Sequence, residues 1–256
     1  MLSKNRSGTT ADTISSFLVL VATGGMIGFN ILATTGYVNG VLTVDVSERY
    51  PTVVTPANWA FTIWVPIYAG LAGFAIYQLL PAKLAQYRSI RALYLVSCVL
   101  KCLWLWLWYN LQIAGTVVVI LCLWAVLLLL AVRFREASSF SDALFGKGVF
   151  GLYFGWVTTA ALANIAVLLV AQGFAIPAAA FNAIGAVMLL IAAAAAVFAR
   201  FRLRNFLFPL AVAWAAAGIG VAQSGNTIIV VASALCLVVG LVMAISFVMD
   251  RKGTFE

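Results

Sequence analysis

The sequence predicts an all-α integral membrane protein of about eight helical spans, and three observations carry that prediction. Apolar residues make up 65% of the chain and charged residues only 9%, where soluble domains run near 45–50% and about 25%. Mean hydropathy is +1.11. The apolar residues fall in consecutive runs, each near the roughly 20 residues that cross about 30 Å of hydrocarbon. The runs are apolar all round rather than alternating, which excludes a closed β-barrel. No stretch between them is long enough to bury a core of its own.

In order, the runs lie at roughly 14–34, 56–80, 92–110, 113–132, 148–171, 178–199, 206–222 and 227–249. The first continues past the length of a signal peptide without an Ala-x-Ala-type site, so it reads as a span. Pro66 and Pro209 sit inside the second and seventh, where neighbouring helices re-satisfy the freed carbonyl and kinks are expected. The third carries Lys101 near its middle, and the seventh is short.

Basic residues set the orientation. With a cytoplasmic N-terminus, Lys4, Arg6, Lys83, Arg88, Arg91, Arg133, Arg135, Lys147, Arg200, Arg202, Arg204, Arg251 and Lys252 all fall on the cytoplasmic side. That is every one of the 15 Lys and Arg except Arg49 and Lys101. Both termini are therefore expected in the cytoplasm of a bacterial inner-membrane protein. The net charge of +8 needs no nucleic-acid partner, because orientation and attraction to anionic headgroups account for it. The Arg200, Arg202, Arg204 run is read the same way.

Several chemistries are closed off by composition. There is no histidine, so imidazole bases, haem ligation by His and histidine proton relays are absent. Cys98 and Cys102 stand one helical turn apart, but Cys122 and Cys236 offer no further ligand, so no metal site is expected. Cysteine inside an apolar run behaves as a small hydrophobe. No phosphate-binding loop, nucleophile elbow or zinc-protease helix occurs, and no catalytic residues are assigned.

What remains is an aromatic and small-residue pattern in the first 171 residues. At 100° per residue, Phe61, Trp64 and Tyr68 fall within an arc of about 60°, and so do Lys101, Trp104 and Trp108. Tyr153, Trp156, Ala160 and Asn164 cover about 80° of the fifth span. Its other side carries Gly151 and Gly155, a small-xxx-small pair that admits a neighbouring backbone; Gly24 and Gly28 repeat the pattern in the first span. Three stripes of this kind fit the lining of a common cavity, although aromatic stripes are also ordinary bundle core. Trp59, Trp106 and Tyr109 read as interfacial belt residues. A mid-span lysine costs several kcal/mol unless it is paired, hydrated or snorkelling. Lys101 has no Asp or Glu in another span to pair with. It is expected to face the cavity beside Trp104 and Trp108, with snorkelling as the alternative.

The segment Glu48-Arg49-Tyr50-Pro51, then Thr55-Pro56-Ala57-Asn58-Trp59-Ala60-Phe61-Thr62-Ile63-Trp64 and Tyr68, resembles the first loop and second helix of the TspO/MBR family of tryptophan-rich sensory proteins. Lys101 to Trp108 resembles the Asn-x-x-Trp helix of that family. Tyr153-Phe154-Gly155-Trp156-Val157-Thr158-Thr159-Ala160 with Asn164 resembles its fifth helix. The resemblance covers roughly residues 15–171. It implies a five-helix core (1–172) whose first loop, about 35–55, forms a lid over a cavity that binds a tetrapyrrole such as protoporphyrin. Phe61, Trp64, Tyr68, Lys101, Trp104, Trp108, Tyr153, Trp156 and Asn164 would form the ligand-binding wall. Light-dependent porphyrin breakdown is attributed to some bacterial relatives, and Trp64 and Trp156 occupy the positions implicated there.

Three departures stand out. Trp59 and Trp64 are five apart where the family more often spaces them six. Lys101 replaces the family Asn, and the proposed sterol motif is missing after the fifth span. Residues 173–256 form a three-helix extension resembling a longer bacterial branch; its Asn182, Gln223, Ser224 and Asn226 are read as helix caps or interhelical hydrogen bonds.

The function expected is a sensor or carrier that binds a flat, apolar, anionic small molecule. No resident cofactor beyond such a tetrapyrrole is called for, and the partners are the lipid bilayer and the ligand, with room for a homodimer. A secondary transporter of a small organic solute is the alternative, with an accessory or assembly subunit as a third reading. Halves 1–128 and 129–256 show no evident repeat, which counts against an inverted-repeat transporter.

Overall fold

A computed structural model describes residues 8–40, 43–137 and 139–252. Lys4, Arg6 and the side chains of Arg251 and Lys252 lie outside the described residues. Among the described residues, seven helices are long and apolar enough to cross a membrane, and Leu207–Ala222 is a shorter apolar eighth. The polytopic helical bundle expected from the sequence is thus the fold.

Helix α1 (Thr10–Thr34) begins four residues before its apolar run, because Thr9 and Asp12 form a capping box. The Thr9 N–H donates to Asp12 Oδ2 at 2.8 Å, and the Thr9 hydroxyl accepts from the Asp12 N–H at 3.3 Å. These bonds satisfy amides that the first turn leaves orphaned. A short α2 (Thr43–Arg49) follows. The second span does not start as an α-helix. Residues Asn58–Ile63 form a 3₁₀ helix that passes into α3 (Trp64–Tyr77). In a 3₁₀ turn residues i and i+3 eclipse, so Phe61 and Trp64 emerge on one face.

After the single turn α4 (Pro81–Leu84) come α5 (Arg88–Tyr109) and α6 (Ile113–Arg133). The fifth span is longer than the sequence reading. A turn, α7 (Phe140–Asp142), and a π-helical stretch, Ala143–Gly148, lead into α8 (Val149–Ala171). The last three helices are α9 (Ala178–Arg202), α10 (Leu207–Ala222) and α11 (Thr227–Lys252).

Packing runs α3–α1–α5–α6–α8, with α8 touching α3 as well. Helix α10 lies against α8, α9, α11 and the 3₁₀ turn, and its buried residues include the small Ala211, Ala213, Ala215, Ala216 and Gly218 beside Phe208, Val212 and Ile219. The Gly151/Gly155 pair does what the sequence reading expected, with α10 as the neighbour. A β-carbon at 155 would stand 2.5 Å from the Phe208 carbonyl oxygen. Gly24 and Gly28 do not repeat it, since nothing lies within 4 Å of where their β-carbons would be. That face of α1 is unpacked, so spacing alone identified the wrong pair there.

Outward faces are apolar, as lipid requires and water would penalise; Val21, Val65, Val118 and Ile245 are all more than 60% exposed. Arginines that the sequence reading used only for orientation have structural duties. Arg91 is buried and donates to Gln78 Oε1 at 2.8 Å and to the Leu84 carbonyl at 2.6 Å. Asp12 accepts from Arg88 Nε at 2.6 Å, tying α1 to α5. Arg200 is buried and donates to Ser246 Oγ at 2.8 Å, so it is not a solvated face.

Candidate functional site

Seven of the nine residues expected from the sequence line one slot: Phe61, Trp64, Lys101, Trp104, Trp108, Trp156 and Asn164. It lies among α3, α5, α6, α8 and α10. The slot is tight, with a cavity volume of about 80 Å³ as its side chains stand. Tyr68 lines an adjoining groove of about 430 Å³ that shares Phe61, Trp64, Lys101 and Trp104 with the slot. Tyr153 lines neither. It is buried behind Trp64, edge-on with ring centroids 5.9 Å apart.

The aromatic walls hold one another in place. Trp64 stacks on Tyr68 at 5.2 Å and meets Trp156 edge-on at 6.3 Å. Phe61 also meets Trp156 edge-on, at 5.8 Å. On the opposite wall Trp104 stacks on Trp108 at 5.5 Å. Such offset and T-shaped pairs are the favoured ring geometries. Hydrogen bonds fix the orientations further. Trp104 Nε1 donates to Asn164 Oδ1 at 3.1 Å, and Asn164 Nδ2 donates to the Ala160 carbonyl at 2.9 Å. The Tyr68 hydroxyl donates to Asn30 Oδ1 at 2.6 Å, while Asn30 Nδ2 donates to the Met26 carbonyl at 2.8 Å.

Lys101 stands at the neck between slot and groove. It is 2% exposed and makes no ion pair or hydrogen bond among the described residues. Its Nζ sits 3.8 Å from the centre of the Trp64 ring and 4.5 Å from that of Trp104. The stripe on α5 predicts Trp104 and Trp108 as its neighbours. Trp108 lies behind Trp104, and the second ring is supplied by α3 because the 3₁₀ turn brings Trp64 across to α5. The arrangement is a cation held by indole faces alone, worth roughly 0.5–2 kcal/mol, in a place where a charge ordinarily needs a counter-charge. Two further polar atoms in this region are buried without a hydrogen-bond partner among the described residues: Trp108 Nε1, on the slot wall, and the Tyr153 hydroxyl.

Trp59 and Trp106 point away from the slot, 40% and 49% exposed, as expected. Trp59 packs edge-on against Trp214 at 5.0 Å. Tyr109 corrects the belt reading: it is fully buried and lines the groove.

Sequence reasoning missed several lining groups. Ala215 and Ile219 come from α10 and Ile120 and Leu123 from α6, and no pattern in those runs marks them as lining. Asn30 was legible in principle, as a carboxamide within an apolar run. The first loop reaches the slot through Val54, Thr55 and Pro56. Helix α10 and the turn after it hold that segment: Gln223 Nε2 donates to the Thr52 carbonyl at 3.2 Å, and the Ala57 N–H donates to the Gly218 carbonyl at 3.0 Å. Asn226 Nδ2 donates to Asn182 Oδ1 at 2.8 Å, the interhelical use expected of those amides.

Chemically, the site offers flat indole and phenol faces, small residues (Ala160, Ala163, Ala215) that leave room between them, and one uncompensated cation. Among the described residues no group of three or more Cys, Asp or Glu side chains is placed to hold a metal ion. The family model described as TSPO-like protein matches residues 16–247, so the match runs through the last three helices as well. No curated protein and no solved structure matches the chain.

Proposed function

This chain belongs to the TSPO-like protein family, and from that premise we propose that its slot binds a flat, apolar, anionic ligand of the tetrapyrrole type, as a sensor or carrier in the bilayer. The observation that carries the reading is Lys101: an ammonium with no acidic partner, set between two indole rings at the neck of an aromatic slot. By turning to a propionate-like carboxylate, which offers the missing counter-charge, the Lys101 ammonium would leave the Trp64 and Trp104 faces it now covers to a planar macrocycle, with Trp156 beside them. A charge-assisted hydrogen bond there gains from the low local dielectric. Trp108 Nε1, unpartnered on the wall, is a further donor for a polar group of the ligand. The proposal includes a bacterial inner-membrane location with both termini cytoplasmic, supported by the basic-residue asymmetry.

Titrating protoporphyrin into the purified protein and following tryptophan quenching and the pigment's absorbance tests the reading. Each offset stack contributes on the order of 0.5–1.5 kcal/mol, so Trp64→Phe or Trp156→Phe should weaken binding by about two- to tenfold. Trp59→Phe, on the Trp214 side, should change it little. Equal losses at all three positions, or no saturable binding to the wild type, would sink the proposal.

A further inference from the structure

We propose that the membrane-facing space between α1, α3 and α5 takes a long-chain monocarboxylate out of the lipid leaflet, with its carboxylate on Lys101 and its chain along the groove. The mouth is lined by Ile31 and Val65, 58% and 70% exposed, so it opens where acyl chains lie. The Asn30 and Tyr68 side chains of the groove are already satisfied. The Tyr68 hydroxyl donates to Asn30 Oδ1 and Asn30 Nδ2 donates to the Met26 carbonyl, while at the exposed rim the Thr34 hydroxyl donates to the Ile31 carbonyl at 2.7 Å. The ammonium of Lys101 is not satisfied, and it faces this groove as well as the slot.

That single cation selects the occupant. A neutral lipid leaves it uncompensated, and one carboxylate is enough to neutralise it. Depth decides between lipid classes. Lys101 is eight residues before Tyr109, the end of α5, or roughly 12 Å at 1.5 Å per residue. A phospholipid keeps its charged headgroup at the interface and cannot deliver it so far down. A single-chain acid can slide its carboxylate to that depth once a cation waits there. This inference rests on the same lysine as the slot reading but not on the slot's occupant, and the two ligands should compete for it.

The test uses stearate brominated at mid-chain, whose bromines quench nearby indoles, and the corresponding methyl ester, with the protein in nanodiscs. The acid should quench tryptophan emission saturably and the ester only in proportion to its partitioning. Lys101→Met should weaken the saturable part by about tenfold or more, as loss of a charge-assisted bond implies. Ile31→Phe with Val65→Phe, which fills the mouth, should remove it. Acid and ester quenching alike in the wild type, a comparison that needs no variant, overturns the proposal, as does saturable quenching that survives Lys101→Met. Ala160→Phe, which fills the slot, separates the two sites: it should block protoporphyrin and leave stearate. Stearate failing while protoporphyrin binds defeats the groove alone, and the converse defeats the slot alone.

Discussion

Gly151 and the side chain of Asn205 share one contact so closely that a β-carbon at 151 would stand 2.0 Å from Asn205 Oδ1. Asn205 is a junction between the fifth span and the last three. Its Oδ1 accepts from the Leu207 and Phe208 N–H groups at 3.0 Å, capping α10. Its Nδ2 donates at 2.6 Å to the Lys147 carbonyl in the π-helical stretch, where the looser turn leaves carbonyls available.

Gly151→Ala should therefore displace Asn205 and lose the cap. A lost cap costs about 0.5–2 kcal/mol and overpacking about 1–3, so a total near 2–4 kcal/mol is expected in detergent unfolding. Gly24→Ala meets nothing within 4 Å. It should be neutral or stabilising by up to about 1 kcal/mol, because Ala suits a helix interior better. If both variants behave alike, the α8–α10 contact is not where the structure puts it.

The contrast also marks what the sequence makes legible. Span number and the inward stripes follow from local rules, hydropathy and a 3.6-residue period, so Trp64, Trp104 and Trp156 were found. Which helix answers a glycine pair is a tertiary fact, and identical spacing at Gly24/Gly28 and Gly151/Gly155 cannot separate a packed face from an empty one. Ala215 and Ile219 were illegible for the same reason: an alanine-rich run looks alike whether it lines a cavity or fills a helix crossing. Tyr109 was misread because proximity to a span end is a weaker signal than burial under α2 and α1. The 3₁₀ turn before Trp64 left no periodic trace, yet it decides which ring Lys101 touches.

Orientation gives a second prediction. Gln112, at the turn between α5 and α6, and Ser89, near the start of α5, lie at opposite ends of one span. In a cysteine-free background, a cysteine at 112 should react with an impermeant reagent added to intact cells, and one at 89 should be spared. Labelling at 89 would reverse the topology.

A third concerns the opposite end of the bundle from Gln112. Lys83 Nζ donates to Asp142 Oδ1 at 2.7 Å, and the Tyr77 hydroxyl donates to the same carboxylate at 3.0 Å. Burial disfavours the Lys83 ammonium, but the hydrogen bonds to Asp142 and Tyr77 outweigh it and raise its pKa above 10.5. A raised folded value means a stabilising contribution that is complete below the ordinary lysine value and lost as pH climbs through the raised one. Thermal stability should fall at strongly alkaline pH in the wild type. Lys83→Met should lower stability at neutral pH and flatten that alkaline loss. An unchanged alkaline limb in the variant would assign the loss to other groups.

The last prediction returns to Lys101. Kept without an acidic partner, a charge at mid-span costs several kcal/mol, and two indole faces return only about 0.5–2 kcal/mol. Lys101→Met keeps length and apolar bulk while removing the charge, so the empty protein should become more stable, by about 1–2 kcal/mol. The same change should weaken protoporphyrin by tenfold or more, about 1.4 kcal/mol per decade, because its carboxylate loses the one cation in reach. Lys101→Arg retains the charge in a broader planar group and should keep part of the binding. The porphyrin dimethyl ester separates ionic pairing from shape, since it preserves the stacking faces and lacks the charge. Wild type should prefer the free acid over the ester, and Lys101→Met should erase that preference while stability rises. A variant that loses stability, or that weakens acid and ester equally, would mean that Lys101 props the bundle open rather than pairing with a ligand.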